Sequence, residues 1–521
     1  MKFYSLLAGG ILLGAGTVEA QDFQDAMRFS QLTSQGTARS MAIGGAVGAV
    51  GADFSALSVN PAGIGLYRRG EFTFSPSIRA NSASGTYNPN NISGFQGGST
   101  PENSGAFSIS NIGYVSVSSG SNNANDFDRR QKSSGWVSRG FAIGLNRVAD
   151  FNRSYTYKGR NDSSSVSEVF VIDARSKANA NGEIPTDSRG YLGYDAFLID
   201  FDSTNGYFTN ADYRLGAFNQ QRTVRERGGI SEMVLTYGGN YNERFMIGGT
   251  LGIPILRYNR TSTFTETDAD NTMPQFNRSE YNEDLSITGV GVNLKLGVIY
   301  KPSDLFRVGL AVHTPSWISV QDRVNESLTN DVVGYQSTSG LRTSSLPQNE
   351  FNYVVQTAWR TVLSATAFAG KWGFFSADYE YVGYKSSRLI FETDENQAAF
   401  GTGAFSEAQR IKNEELRANV NNASNFRIGG EGHLDNFYFR AGLGFYGSPY
   451  KNTFFSKSRT DYTTGIGLRG QKGFIDVALV QSQFETGETP YALNYGNSLI
   501  APQANLKNAL TNVTLTFGLK F

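Results

Sequence analysis

The chain has 521 residues, with 46 Lys and Arg against 46 Asp and Glu, 59 Gly, 37 Phe, 26 Tyr and no Cys. This balanced charge gives no basis for nucleic-acid binding or for a basic membrane-surface patch. The lack of Cys excludes disulfides and a lipid-anchored lipoprotein. Many aromatic residues and glycines without long apolar runs favour a chain built mostly of strands.

The first residues indicate a secretory signal. Met1 and Lys2 precede the apolar run FYSLLAGGILLGAG, which is too short to span a bilayer, and small residues stand at Val18 and Ala20. We therefore predict a signal peptide over residues 1–20, cut after Ala20. No later segment approaches the roughly 20 apolar residues of a membrane-spanning helix, so a membrane location would require a closed barrel.

Residues 21–69 lack the pattern of a strand. They are rich in Gly and Ala and contain Asn60-Pro61, where proline restricts Asn60 to extended geometry and predicts a tight bend. Small residues at close spacing let backbone pack against backbone. We therefore predict a compact hatch that plugs a barrel, with a disordered leader as the alternative.

From residue 70 to 521, strands alternate with turns. In SITGVGVNLKLGVIY one face is apolar and the other carries Gly, Asn and Lys, and the short turn KPSD leads to the next strand. We count about fourteen strands, beginning near residues 70, 104, 136, 227, 244, 281, 305, 350, 372, 421, 437, 458, 473 and 508. The predicted fold class is all-β: a transmembrane antiparallel β-barrel with an N-terminal hatch in its lumen.

Long polar connections separate the paired strands, and we expect them on the extracellular side. They are residues 83–103, 160–226, 268–280, 326–349, 393–420, 450–457 and 486–507. The sequences ETDENQAAF and SEAQRIKNEELRANV predict that one of these loops is partly helical. The connection SGSNNANDFDRRQKSSG, between the second and third strands, is long for a periplasmic turn.

The last strand, NVTLTFGLKF, carries an uncharged apolar row that ends at Phe521. We expect this row to face lipid, because a charge there costs about 2 to 4 kcal/mol at the middle of the bilayer. A terminal aromatic residue also fits what the barrel-assembly machinery of the outer membrane recognises. A secreted soluble β-sandwich or propeller is the alternative, and the chain has no repeat of constant length to support a propeller.

The segment before the barrel resembles the hatch of the FadL family of outer-membrane transporters. The match runs through Gly36, Arg39, Gly44, Gly45, Ala46, Gly48, Asp53, Ser55, Ala56 and Asn60-Pro61-Ala62, and SNIGYVSV, GVNLKLGVIYKPSDLFRVGLAVHTP and the closing strand are also similar. The resemblance implies a bacterial outer-membrane location and passive transport of long-chain fatty acids and other hydrophobic compounds. It also implies hatch or gating roles for Asn60, Pro61, Ala62, Gly44, Gly45 and Gly48. Loops 160–226, 326–349 and 393–420 have no counterpart, so the substrate does not transfer.

The chain has few residues of the types that catalytic sites use. The two histidines, His313 and His433, both fall on inward-facing rows, and there is no Cys for a nucleophile or a metal site. We expect no enzyme activity, no metal and no cofactor. Some FadL-like proteins have been called hemin receptors, but His313 would have to ligate haem alone.

Seven charged residues fall on inward-facing rows. The favoured interpretation is a ladder of ion pairs that braces the wall and anchors the hatch. The alternative is that a basic residue among them meets a substrate carboxylate. Arg307 and Arg427 lie near short turns and suit hatch anchors; the full set is Lys295, Arg307, Asp378, Glu380, Arg427, Glu431 and Arg440.

The leading functional hypothesis is a passive channel for hydrophobic compounds such as fatty acids. Extracellular loops would capture the ligand, and a shift of the hatch would open a route, including a sideways one through the wall. The alternatives are a solute porin, which should lack a plug, and a non-transporting scaffold or adhesin that uses the long loops. The expected partners are a hydrophobic small molecule, outer-membrane lipid and the assembly machinery, with no nucleic acid, and the expected state is a monomer.

Overall fold

The computed structural model describes residues 23–33, 35–88, 98–119, 135–335, 338–391, 402–494 and 499–521. The predicted signal peptide and most of the connection between the second and third strands lie outside the described residues. No helix in the described part of the chain is long and apolar enough to cross a membrane.

The described residues are mostly strands. In chain order these are β1 (Glu71–Asn88), β2 (Ser99–Ser119), β3 (Trp136–Asp150), β4 (Arg153–Asn161), β5 (Ile199–Asp202), β6 (Gly206–Thr209), β7 (Phe218–Tyr241), β8 (Phe245–Asp268), β9 (Phe276–Ser303), β10 (Phe306–His313), β11 (Trp317–Tyr335), β12 (Thr338–Ser345), β13 (Asn349–Gln356), β14 (Trp359–Phe368), β15 (Gly373–Gly383), β16 (Arg388–Phe391), β17 (Ala423–Leu434), β18 (Phe437–Tyr446), β19 (Arg459–Arg469), β20 (Gly473–Glu488), β21 (Leu493–Asn494), β22 (Leu499–Ile500) and β23 (Gln503–Lys520).

The wall strands pair antiparallel with their neighbours, and β1 pairs with both β2 and β23, so the sheet closes on itself. Some wall strands are interrupted: β4 continues β3, β11 continues β10, β16 continues β15, and β12, β13 and β14 follow one line. Counted in this way, the wall has 14 strands. The predicted fold class is confirmed.

Several wall strands start earlier than the apolar alternation predicted. β2, β7, β9 and β23 begin at Ser99, Phe218, Phe276 and Gln503, not near residues 104, 227, 281 and 508. Their added residues are polar on the outer face, because beyond the bilayer this face meets water and needs no apolar row. The alternation therefore marks only the part of each strand that lies in lipid.

Several extracellular connections are shorter than predicted for the same reason. The connection 83–103 loses its ends because Thr86 pairs with Ser99. Most of 326–349 belongs to the hairpin of β11 and β12. The ends of 486–507 belong to β20 and β23, with the small β21 and β22 pair between them.

The other long connections fold locally. Between β4 and β7, the predicted loop 160–226 holds α3 (Ser167–Lys177), α4 (Arg189–Asp195) and the β5 and β6 hairpin. Loop 393–420 contains α5 (Thr402–Asn419), which confirms the helical character predicted from SEAQRIKNEELRANV, whereas ETDENQAAF lies outside the described residues. β8 and β9 shorten the connection predicted at 268–280, and the connection predicted at 450–457 lies between β18 and β19.

An apolar belt surrounds the barrel on its outer face. On β8 the outward row runs from Phe245 to Ile255, and on β9 from Val290 to Tyr300, with no charged residue in either row. Aromatic side chains gather near the short turns, where Phe245 stacks on Tyr300 at 4.8 Å between ring centroids. Such a belt with an aromatic girdle matches the surface of a barrel that spans a bilayer.

The N-terminal segment (residues 23–70) lies inside the barrel. It comprises α1 (Phe23–Ser30), α2 (Ala38–Ala42) and two 3₁₀ turns, Phe54–Ser58 and Pro61–Leu66. It contacts wall strands on every side, including β2, β8, β17 and β20. Its apolar side chains pack on inward wall residues, for example Phe54 and Ile64 with Val234.

Glycines in the wall allow this segment to approach the backbone of the strands. A Cβ on Gly297 of β9 would lie 1.9 Å from Oδ1 of Asn60, and one on Gly248 of β8 would lie 2.4 Å from the carbonyl oxygen of Pro61. A Cβ on Gly429 of β17 would lie 2.3 Å from the carbonyl oxygen of Ile43. Part of the high glycine content is therefore explained by contact between two backbones.

We expect Gly429→Ala to destabilise the folded barrel by about 1 to 3 kcal/mol, because the added methyl group overpacks against a fixed carbonyl. The measurement is the urea midpoint of the heat-modifiable folded band in gel electrophoresis. Gly432→Ala, on the same strand, is the control, since its Cβ would lie 3.7 Å from the nearest atom, a carbonyl oxygen of Trp372. Equal midpoints for the two variants would contradict this packing.

Candidate functional site

A cavity of about 370 Å³ lies in the lumen above the N-terminal segment. Ser40, Gly45, Ser55 and Val59 of that segment contribute to its floor, and inward side chains from strands on all sides form its wall. Residues 447–450 and 455–457, from the connection between β18 and β19, also line it. The cavity therefore lies between the segment and the extracellular loops.

One side of the cavity is apolar and is built around α1. Met27 and Phe29 are buried there against Ile230 and Tyr258 of the wall. The ring of Phe29 meets Tyr258 edge-on at 6.3 Å and Phe151 at 6.0 Å. The first described helix thus covers apolar wall surface that would otherwise face the cavity.

Charged side chains also line the cavity, some of them next to α1, and they are paired. Glu226 bonds to Arg153, lies 3.9 Å from Arg28 of α1, and accepts a hydrogen bond of 2.6 Å from the hydroxyl of Tyr258. Arg360 donates to Glu380 at 3.0 Å. Because a buried charge is costly unless it is paired, these contacts let polar groups line a lumen in lipid.

Asn60 holds the floor of the cavity together. Its Oδ1 accepts a hydrogen bond of 3.1 Å from the backbone of Ala62, which caps the second 3₁₀ turn, with Pro61 at the first position of that turn. Its Nδ2 donates to the carbonyl oxygen of Gly48 at 2.7 Å and to that of Val298 at 3.4 Å. One side chain thus connects two parts of the segment to the wall.

The other predicted hatch glycines lie at close contacts with the wall. Gly44 and Gly45 have φ angles of 68° and 75°, which favour glycine. Gly44 lies beside backbone atoms of Ile428 and Leu443. The backbone of Gly48 donates to Asp378 at 3.1 Å.

Four of the predicted inward charges lie around the segment. Arg307 donates to the carbonyl oxygen of Val50 at 2.9 Å and covers the ring of Phe368. Arg427 pairs with Asp378 at 3.7 Å and with Glu380 at 3.5 Å. Arg427 and Glu380 also line the cavity, so the barrel places them at both the segment and the site.

The remaining predicted charges form two further ion-pair groups. Glu431 accepts hydrogen bonds from Arg39 of the segment at 2.9 Å and from Arg440 at 2.7 Å. Arg440 also donates to Asp476 at 2.8 Å. Lys295 pairs with Glu232 of β7 beside the cavity.

Sequence reasoning missed several partners of these charges. Three of these partners lie on inward-facing rows: Glu232, Arg360 and Asp476. Asp476 could have been predicted, because it alternates with the outward apolar residues of FIDVALV. Arg79 and Asp150 pair at 2.7 Å but come from β1 and from the end of β3, so only the register of the closed barrel brings them together.

The wall is interrupted where β3 leaves β2. The ladder between β2 and β3 ends at the pair Asn111 and Asn146, and, within the described residues, 99–109 of β2 pair with β1 alone. The chain turns at residues 151–152, and β4 pairs with β7. Asn146, Arg147 and Asp150 line the cavity, so the cavity extends to this break.

Polar side chains hold the bend at the break. Asp150 accepts hydrogen bonds from Arg147 Nε at 2.8 Å and from the backbone of Asn152 at 3.0 Å. Arg147 also donates to the carbonyl oxygen of Gly228 at 2.6 Å, and that carbonyl accepts a bond from the backbone of Phe151. Two carbonyl oxygens beyond the end of the ladder are bound from β1, where Arg79 donates to that of Asp150 at 3.3 Å and Asn81 to that of Ser154 at 3.2 Å.

The two histidines lie apart. His313 is buried beside the cavity, with its Nε2 2.8 Å from the carbonyl oxygen of Val59. His433 stacks on Tyr438 near the short turns. The described residues contain no group of three or more His, Cys, Asp or Glu that could hold a metal ion.

No family model matches the chain, and no curated protein matches it in sequence. Among solved structures, the P. putida toluene transporter TodX is similar, with 10% identity, 94% of this chain and 99% of that chain covered, and a TM-score of 0.50. A Pseudomonas aeruginosa FadL homologue is similar with 12% identity, 93% and 99% coverage, and a TM-score of 0.50.

These likenesses are at the level of the fold. The predicted resemblance to the FadL family is confirmed there, since the whole barrel and not one motif is matched. With the closed barrel and its apolar belt, the fold also confirms the predicted location in the bacterial outer membrane.

We expect Glu431→Gln to loosen the N-terminal segment, because Arg39 loses its carboxylate partner while Arg440 keeps Asp476. Breaking a buried ion pair costs about 3 to 5 kcal/mol. The chain has no Cys, so a single Ala46→Cys label site, buried in the segment, can report the change. Maleimide labelling should become several-fold faster in Glu431→Gln.

Glu407→Gln is the control for this experiment, since Glu407 lies on the exposed face of α5 and its ion pair within the described residues is the local one with Arg410. Labelling of Ala46→Cys at the wild-type rate in both variants would show that the ion pair of Arg39 does not hold the segment.

Proposed function

We propose that this barrel with the FadL fold is a passive outer-membrane channel for hydrophobic compounds. The observation that carries the proposal is the cavity that lies above the N-terminal segment and extends to the break between β2 and β3. A solute porin would have an open lumen, whereas the segment fills this one. Catalysis and cofactors have no role in the proposal.

Capture would occur among the extracellular loops. The folded region between β4 and β7 exposes Tyr194, Phe201, Phe208 and Leu215. An apolar ligand gains free energy by leaving water for such surfaces, and it gains more in an enclosed pocket. The free energy of such a ligand would therefore fall from water to the loops and from the loops to the cavity.

The N-terminal segment would act as the gate. Its first helix, α1, covers the apolar side of the cavity. Arg28 of this helix forms an ion pair with Glu226 in which the nitrogen and oxygen atoms are 3.9 Å apart, a long distance for such a contact. Asn60, Pro61, Ala62, Gly44, Gly45 and Gly48 would hold the floor while α1 moves. A ligand then competes with α1 for the same wall surface.

Release would be sideways, through the break in the wall. A hydrophobic ligand that enters the bilayer directly avoids the cost of returning to water. The break already lacks main-chain hydrogen bonds between β2 and β3, so opening it breaks side-chain contacts only. The Arg79 to Asp150 pair lies at this point.

The ligand class is that of hydrophobic compounds such as long-chain fatty acids. The mixed lining, with apolar groups and paired charges next to each other around α1, supports a ligand with an apolar body and a small polar end. Toluene is what the similar structure TodX is named for, and we propose neutral aromatic compounds as a second ligand to test. We also propose that the protein is a monomer and that the barrel-assembly machinery recognises its last strand.

Filling the break should slow uptake. Ala106 lies on the inner face of β2, opposite Arg79 and beyond the end of the β2 and β3 ladder. We expect Ala106→Trp to reduce uptake of labelled oleate and of labelled toluene at least about tenfold in cells that lack other transporters, because the indole fills the exit; a tenfold change corresponds to about 1.4 kcal/mol.

Ser116→Trp is the matched control, since Ser116 is exposed on the same strand within its intact ladder. Uptake that is equal in the two folded variants would exclude the sideways route. Entry of sugars into proteoliposomes would favour a porin. A wild-type protein that transports neither ligand would favour a scaffold or adhesin.

A further inference from the structure

Three arginines stand on the outer face of the barrel just beyond the apolar belt. Arg225 and Arg227 of β7 and Arg257 of β8 are exposed and alternate with inward residues of the same strands. Within the described part of the chain, none of the three has a carboxylate at ion-pair distance, whereas most arginines of the lumen are paired.

Their height places them at the surface of the outer leaflet. The outward row of β8 from Phe245 to Ile255 is ten steps of about 3.3 Å, which at a tilt near 40° covers about 25 Å, the height of the apolar band of such barrels. Arg257 is the next outward residue after Ile255. The short turn between β7 and β8 lies at the opposite, periplasmic end.

The three side chains are close enough to hold one anionic group. Arg225 and Arg227 are two residues apart on one face, about 7 Å, and Arg227 pairs with Asn259, the outward neighbour of Arg257. An outward carboxylate on the next strand, Asp284, is opposite Thr261 and not opposite any of the arginines. The cluster therefore has a local positive charge.

We propose that Arg225, Arg227 and Arg257 bind the phosphate groups of a phosphorylated lipid of the outer leaflet, while its acyl chains lie along the apolar belt. Guanidinium groups match phosphate oxygens with paired hydrogen bonds, and basic side chains at a membrane surface attract anionic lipid. Below the cluster, Leu251, Ile253 and Ile255 offer the chains an apolar surface.

The test uses the full-length protein in nonionic detergent, titrated with bis-phosphorylated lipid A or with the same lipid lacking both phosphates, and read by native mass spectrometry. We expect the wild type to bind the phosphorylated lipid at least about tenfold more tightly. The triple variant Arg225→Gln, Arg227→Gln and Arg257→Gln should lose this preference, and the triple replacement by Lys should keep part of it.

Arg323→Gln is the control, since Arg323 is an exposed outward arginine of β11 that is already paired with Glu350 at 2.9 Å. It should retain the wild-type preference, and heat-modifiable migration will show that each variant is folded. A wild type that does not distinguish the two lipids, or a folded triple Gln variant that still does, overturns the proposal. Displacement of the lipid by equimolar inorganic phosphate also overturns it, because the site would then serve free phosphate.

Discussion

Lipid offers no hydrogen bonds, and the structure depends on that constraint. Each backbone N–H and C=O in the hydrocarbon region must find a partner within the protein, which is why the wall strands close into a barrel and why β1 pairs with the last strand. The break between β2 and β3 is the exception. The side chains of Arg79 and Asn81 bind carbonyl oxygens of Asp150 and Ser154 there, so this point of the wall is held by side chains.

The same constraint shapes the lumen. The N-terminal segment brings its own backbone polar groups into the barrel, and wall side chains bind them: the N–H of Gly48 donates to Asp378, and Arg307 donates to the carbonyl oxygen of Val50. Wall glycines remove the side chains that would keep the two backbones apart. The segment is thus held by short polar contacts and by apolar packing, such as that of Phe54 and Ile64 with Val234.

Charge is distributed by the direction in which each strand residue points. Most inward arginines are paired with carboxylates and line a lumen that also holds an apolar patch around α1. Outward charge is excluded from the belt and reappears at its upper edge, at Arg257. Along an outward row, the environment thus changes from lipid chains to polar headgroups within one or two residues. An anionic lipid would be held at this boundary.

The strand count and the inner and outer faces follow from the sequence, because alternation with a period of two is a local property and lipid enforces it on every wall strand. For the same reason Lys295, Glu431 and Arg440 could be placed on inward rows, and Asn60-Pro61-Ala62 in a tight turn. Outside the lipid belt the outer face needs no apolar row, so the alternation no longer predicts where a strand begins. β7 starts nine residues before the predicted position, because residues 218–226 lie beyond the belt. The partner of each inward charge depends on the register between strands far apart in the chain, as for Arg39 with Glu431 and Arg79 with Asp150. The break and the cavity exist only once the barrel closes. The break arises where the β2 and β3 ladder ends, and the cavity is the part of the lumen that the N-terminal segment leaves open.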